Sequence, residues 1–266
     1  MKKNFKTIVV ASGKGGVGKS TVSVNAAVAL AMNGASVGLL DADVYGPNCH
    51  IMMGVNKLPP QTGEGIIPGE AHGVKVMSMG LLVDPNKPLA WRGPMLHSAI
   101  RQFVNDVDWG DLDYLVVDLP PGTGDAQLSI SQEIAITGGF IVTLPQLISL
   151  SDARRGLELF KQLNVPVLGV VENMSYLITD EGKQLDVFGQ GGGKSLSSDT
   201  GVDFIGSIPL DPDVRSGGDE GMPIVVSHPN SHSSKCFLDI ASLMQKLTDI
   251  QWEKSQKNIV SIEIEE

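Results

Sequence analysis

Thr7-Ile-Val-Val-Ala-Ser-Gly-Lys-Gly-Gly-Val-Gly-Lys-Ser20 begins as a β-branched apolar run and ends as a glycine-rich loop. Residues 19–33 continue it with alanines and valines that read as a helix. Strand, loop and helix in direct succession are the context in which G-x-x-x-x-G-K-[ST], here Gly13 to Ser20, holds a phosphate. Gly13, Gly15, Gly16 and Gly18, with Val17 among them, let backbone N–H groups turn into one concavity. The helix adds its positive N-terminal end. Lys19 is then placed to reach the β- and γ-phosphates of a nucleotide and Ser20 to set its hydroxyl on Mg²⁺, with Thr21 next to it.

Working outward, short apolar runs at 7–11, 36–40, 74–77, 114–118, 140–144, 167–171 and 204–208 alternate with helix-like stretches at 19–33, 96–107, 126–136, 152–163 and 231–247. Runs such as Leu115-Val116-Val117 are continuously apolar, as in a parallel sheet covered on both faces. The expected fold is therefore α/β: a doubly wound, mostly parallel sheet with helices on both faces. Residues 1–250 read as a single domain, with 251–266 as an acidic tail or an edge strand. Segments 47–73 and 175–193, rich in glycine, read as a loop or hairpin excursion and a loop insertion.

Composition narrows the function. The 266 residues carry 20 Lys+Arg against 30 Asp+Glu, a formal charge of −10, which argues against a nucleic-acid partner. No run approaches the length of a spanning helix, and the C-terminal segment lacks a basic amphipathic face, so no membrane anchor is expected. Two cysteines, Cys49 and Cys236, exclude a disulfide framework and suit the cytoplasm.

Acidic residues at strand ends complete the phosphate chemistry. Asp118 ends an apolar strand, where a carboxylate is costly to bury unless it serves a cation or a hydrogen-bond network. Mg²⁺, retaining several waters, is its natural partner. In Asp41-Ala-Asp43, Asp43 is placed to orient or deprotonate the attacking water and Asp41 to lie near the metal's water shell; capping a turn or helix is the alternative for Asp41. Residues 120–124, Pro-Pro-Gly-Thr-Gly, read as a loop that senses the γ-phosphate. Asn173 and the 209–211 loop, with Pro209 and Asp211, also follow strands on the phosphate side; they are candidates for contacting adenine, with turn formation as the alternative.

Taken together, several stretches resemble the Mrp/ApbC family of iron–sulfur cluster carrier ATPases, within the broader MinD-like group. They are Asp43-Val-Tyr-Gly-Pro-Asn48, Val76-Met-Ser-Met-Gly80, Trp91-Arg-Gly-Pro94, Asp118-Leu-Pro-Pro-Gly-Thr-Gly-Asp125, Glu172-Asn-Met-Ser-Tyr176, Phe188-Gly-Gln-Gly-Gly-Gly193 and Gly206-Ser-Ile-Pro-Leu-Asp-Pro212. Lys14, a second lysine inside the loop, matches the deviant Walker A form. The resemblance implies that Lys14 crosses a homodimer interface to the partner's nucleotide. It further implies ATP and Mg²⁺ as ligands, a [4Fe–4S] cluster held between subunits, and apo iron–sulfur proteins as recipients. The resemblance also implies a Cys-x-x-Cys shortly after Tyr176, but this sequence reads Leu177-Ile-Thr-Asp-Glu-Gly182 there. Carboxylates substitute poorly for thiolates on iron–sulfide. His228 and His232, with a proline between, read as a surface turn. The alternative function is a metal-free nucleotide switch that regulates or positions a partner protein.

Overall fold

The computed structural model describes residues 5–61, 65–82, 93–122, 124–179 and 181–264; Trp91, Arg92, Thr123 and Asp180, quoted above, lie outside them. The first half runs β1 (Lys6–Ala11), α1 (Lys19–Met32), β2 (Val37–Asp41), α2 (Cys49–Met52), β3 (Gly69–Ala71), β4 (Val74–Ser78), α3 (Gly93–Asn105), β5 (Tyr114–Asp118) and α4 (Asp125–Glu133). The second runs β6 (Gly138–Thr143), α5 (Leu147–Gln162), β7 (Val167–Glu172), β8 (Leu177–Ile178), β9 (Gln184–Leu185), α6 (Gly192–Thr200), β10 (Phe204–Ser207), α7 (Pro212–Asp219), α8 (Ile224–Ser227) and α9 (His232–Ile264).

Among the described residues, eight strands form one sheet in the order β10-β7-β6-β1-β5-β2-β4-β3, parallel except for β3 on β4. The continuous apolar runs have a direct cause in the packing. Ile8 and Val10 point into the layer shared with α1, α8 and α9, whereas Val9 and Ala11 point into the layer shared with α3, α4 and α5. Both faces of β1 are thus dry, and neither can alternate with polar residues. Helix α1 lies between sheet and α9, which is why it needs small residues nearly all round, Ala26, Ala27 and Ala29 among them.

Register then places the chemistry. Asp118 on β5 stands opposite Asp41 on β2 and Val10 on β1, and Asp41 stands opposite Ser78 on β4. Three polar side chains therefore meet at the carboxyl ends of neighbouring strands, next to the loop that leaves β1. Ligand crevices of open α/β sheets form at this end.

Two expectations need correction. The tail beyond 250 is no edge strand: α9 continues to Ile264. No glycine or proline falls between His232 and Ile264, so each added residue extends the helix by one bond. Residues 175–193 are not featureless either, because β8 and β9 pair as a short antiparallel hairpin and α6 starts at Gly192. No helix among the described residues is long and apolar enough to cross a membrane.

Phe237 on α9 is 1% exposed and packs in the layer with α1. Phe237→Ala should cost about 3–5 kcal/mol of unfolding free energy in urea titrations; a loss below about 1 kcal/mol would contradict the docking of α9 as core.

Candidate active site

Between β1 and α1 the loop turns through Gly16 and Gly18 at φ 81° and 80°, backbone that only glycine adopts without strain. Two neighbours lock it. The Asn173 amide donates to the Val17 carbonyl at 2.8 Å, and Gly13 lies so close to Asp152 of α5 that a Cβ there would come within 2.1 Å of its carbonyl. The loop is therefore clamped between β7 and α5 before any ligand arrives.

Asp118 is the floor of the site and is fully buried. Its Oδ2 accepts from Lys19 Nζ at 2.7 Å and from Ser20 Oγ at 2.6 Å, while Oδ1 accepts from Ser23 Oγ at 2.6 Å. Burial works against the Lys19 ammonium, but the Asp118 carboxylate outweighs it and holds the lysine above its ordinary value. Lys19 is thus cationic and held on Asp118. Ser20 and Asp118 offer adjacent oxygens, the donor type that Mg²⁺ selects, and so fit that ion. Cys49 lies on the same floor with Sγ 3.5 Å from Asp118. Burial, then the Asp118 and Asp41 charges, push its thiol well up, so it stays protonated and is no ligand for a hard cation.

Asp41 is the second buried carboxylate. It accepts from the backbone N–H of Asp43 and of Cys49, both at 3.1 Å, and from Ser78 Oγ at 3.0 Å. Asp41 thus ties the start of α2 to β2. Burial and the neighbouring Asp118 charge push its carboxyl up to about 7. Asp43 is half-buried, faces the cleft, and accepts from Tyr45 and Gly46 N–H at 3.2 and 3.3 Å.

A cleft of about 540 Å³ opens above this floor. Gly15, Gly16, Gly18, Lys19, Ser20 and Thr21 line one wall, and Asn173, Pro209 and Asp211 line the other. The candidate base contacts thus do share one cavity with the phosphate loop. Two of them carry structural duties as well: Asn173 on Val17, and Asp211 as the N-cap of α7, accepting from Asp213 N–H at 2.9 Å and from the Ser233 hydroxyl. Lys14 is half-buried and does not line the cleft. Sequence reasoning missed the cover formed by α2 and α7, with Met52 and Arg215 facing the cavity. The signal was there in Gly54 and Gly221, which meet so closely that a Cβ on Gly221 would lie 2.5 Å from Gly54 Cα.

A glycine loop between the central strand and its helix, a lysine and serine on a buried aspartate, and a cleft at the carboxyl ends of a parallel sheet define a P-loop NTPase. The model of the family described as ParA, NUBPL iron-transfer P-loop NTPase, matches residues 3–245, and the chain belongs to that family. It is 55% identical over 241 residues to an iron–sulfur cluster carrier protein of Synechocystis sp., a match covering 88% of this chain and 68% of that protein. A nucleotide-binding protein from Archaeoglobus fulgidus, solved in complex with ADP, superposes with a TM-score of 0.75 at 36% identity, over 87% of this chain and 91% of the other. The Pyrococcus furiosus cell division ATPase MinD shares the fold, with a TM-score of 0.70 at 24% identity over 91% of this chain and 99% of the other.

With its carboxyl at about 7 against an ordinary 3.8, Asp41 keeps its proton in the folded chain after losing it in the unfolded one. Its contribution to stability accordingly falls as pH rises through that window. Asp41→Asn should gain on the wild type by on the order of a few kcal/mol between pH about 4 and about 7, in urea melts without metal or nucleotide. A difference that stays flat with pH would contradict the assignment.

Proposed function

We propose that the protein binds Mg-ATP, hydrolyses it as a homodimer, and acts in iron–sulfur cluster assembly or transfer to apo-proteins. One observation carries the nucleotide half. Lys19 Nζ and Ser20 Oγ converge on a buried Asp118 directly beneath a clamped phosphate loop. In this reading the loop N–H groups and Lys19 bind the phosphates, and Asn173, Pro209 and Asp211 face the base. Ser20, with Asp118 and Asp41 through the ion's waters, would hold Mg²⁺, which would supply charge neutralisation at the β- and γ-phosphates. Asp43 orients the attacking water from the rim of the cleft. Lys14 stands outside its own cleft, which suits a lysine that serves a partner's nucleotide across a homodimer. Two free thiols suit a reducing compartment such as the cytoplasm.

The cluster half rests on family membership, and the cluster is cargo. The hairpin where the resemblance places its ligands presents Leu177, Ile178, Gln184 and Leu185, with no thiol. Cys49 is fully buried under the phosphate loop, and Cys236 sits on α9. These residues do not fit a cluster held at the hairpin. A second reading, a nucleotide switch that docks a partner without metal, gains from the same hairpin, which exposes Ile178, Leu185 and Val187.

Lys19→Ala should abolish ATP binding in calorimetry. Lys14→Ala and Asp43→Asn should keep binding within a few-fold and lower turnover by roughly 10²-fold or more, the scale of a lost transition-state contact. Unchanged turnover in either would remove that residue from the reaction. For the cluster half, holo-enzyme recovery of an apo-[4Fe–4S] dehydratase from a loaded donor should accelerate with wild type and Mg-ATP, and not with Lys19→Ala. No acceleration would leave the switch.

A further inference from the structure

Outside the nucleotide cleft, three side chains of metal-binding type meet at one place on the surface. His232 and Cys236 occupy positions i and i+4 of α9 and so share a helix face. Their Nε2 and Sγ are 3.8 Å apart. Tyr176, the residue just before β8, brings its hydroxyl to 2.8 Å from the same Nε2, and the two rings lie 6.1 Å apart. His232 is exposed, while Cys236 and Tyr176 are half-buried, so water and ions reach the group.

We propose that Cys236 Sγ and His232 Nε2 together bind one borderline-soft divalent cation of the Fe²⁺, Co²⁺ and Zn²⁺ class, with the Tyr176 hydroxyl beside it as an oxygen donor. The separation is the argument. A tetrahedral ion with a bond of about 2.3 Å to sulfur and about 2.0–2.1 Å to nitrogen holds those atoms roughly 3.6 Å apart. The two side chains already stand within a few tenths of an ångström of that spacing, so binding needs almost no rearrangement of the helix. The imidazole exchanges its hydrogen bond with Tyr176 for the metal, and the thiol proton leaves to solvent as the sulfur–metal bond forms. Neither ligand's oxidation state changes. Thiolate and imidazole are also the donors this class of ion prefers over Mg²⁺, so the group does not compete for the metal of the cleft.

Its position gives the group a connection to the cleft. The Tyr176 carbonyl accepts from Leu210 N–H at 2.7 Å, and Leu210 lines the nucleotide cavity. On the other side, Ser233, next to His232, donates to Asp211 of the same cavity wall. With Tyr176 as the third donor, a tetrahedral ion keeps one coordination position for water.

Co²⁺ added alone to the full-length reduced protein is the probe. The expected result is a near-ultraviolet thiolate-to-cobalt band that saturates at one equivalent and is absent from Cys236→Ser. His232→Ala should weaken the affinity roughly tenfold or more, the scale on which even supporting groups act at metal sites. ATP binding by Cys236→Ser should stay within a few-fold of wild type, so that failure here is separate from failure of the nucleotide reading. The proposal is overturned by no band in the wild type, by a band that survives Cys236→Ser, or by equal affinity in His232→Ala.

Discussion

Asp118 sits fully buried at the end of a central strand in an ion pair with Lys19, and the site is organised around that pair. An isolated carboxylate in such a place would take up a proton, because burial disfavours its charged form. Here Lys19, Ser20 and Ser23 all donate to it, each from the first turns of α1. One interaction therefore does three jobs. It fixes α1 on β5, it holds the P-loop lysine cationic, and it sets a serine hydroxyl next to a carboxylate oxygen where a hard divalent ion fits.

The neighbouring carboxylate shows the cost of that arrangement. Register places Asp41 directly opposite Asp118, and one ammonium cannot balance two buried negative charges. Asp41 is the one that yields, and its carboxyl sits at about 7 although three donors face it. A cation entering between Ser20 and Asp118 would relieve the repulsion. Because Asp41 also holds the N–H groups of Asp43 and Cys49, its charge is tied to the position of α2, which covers the cleft. In the proposed function, ion binding and the shape of the cover would meet in this one side chain.

Much of this was legible in the chain, and for identifiable reasons. All seven apolar runs became strands of the main sheet, since a run buried on both faces has no other use in a chain that alternates with amphipathic helices. The P-loop was readable because glycine at φ near +80° and lysine-serine at fixed spacing are local requirements. The partners of those residues were not local. Nothing near Asn173 announces that it clamps Val17, 156 residues away, nor that Cys49 lies under Asp118. Val-Ser-Ile-Glu-Ile-Glu alternates like a strand, which is why an edge strand stands beside an acidic tail as a reading of 251–266, while a helix already under way needs only the absence of a breaker to continue. The group at Tyr176, His232 and Cys236 escaped because a histidine next to a turn looks ordinary until a tyrosine from the base of the β8–β9 hairpin is brought to it.

The arrangement at Asp118 is tested most directly by calorimetric ATP titration of Asp118→Asn with and without Mg²⁺. The amide keeps the size and a hydrogen-bonding oxygen but removes the charge. Mg²⁺ should tighten ATP binding to the wild type and no longer do so in Asp118→Asn, while metal-free binding is retained or improved as Lys19 is released. The same Mg²⁺ enhancement in both proteins would contradict Asp118 as the residue that holds the ion and organises the site.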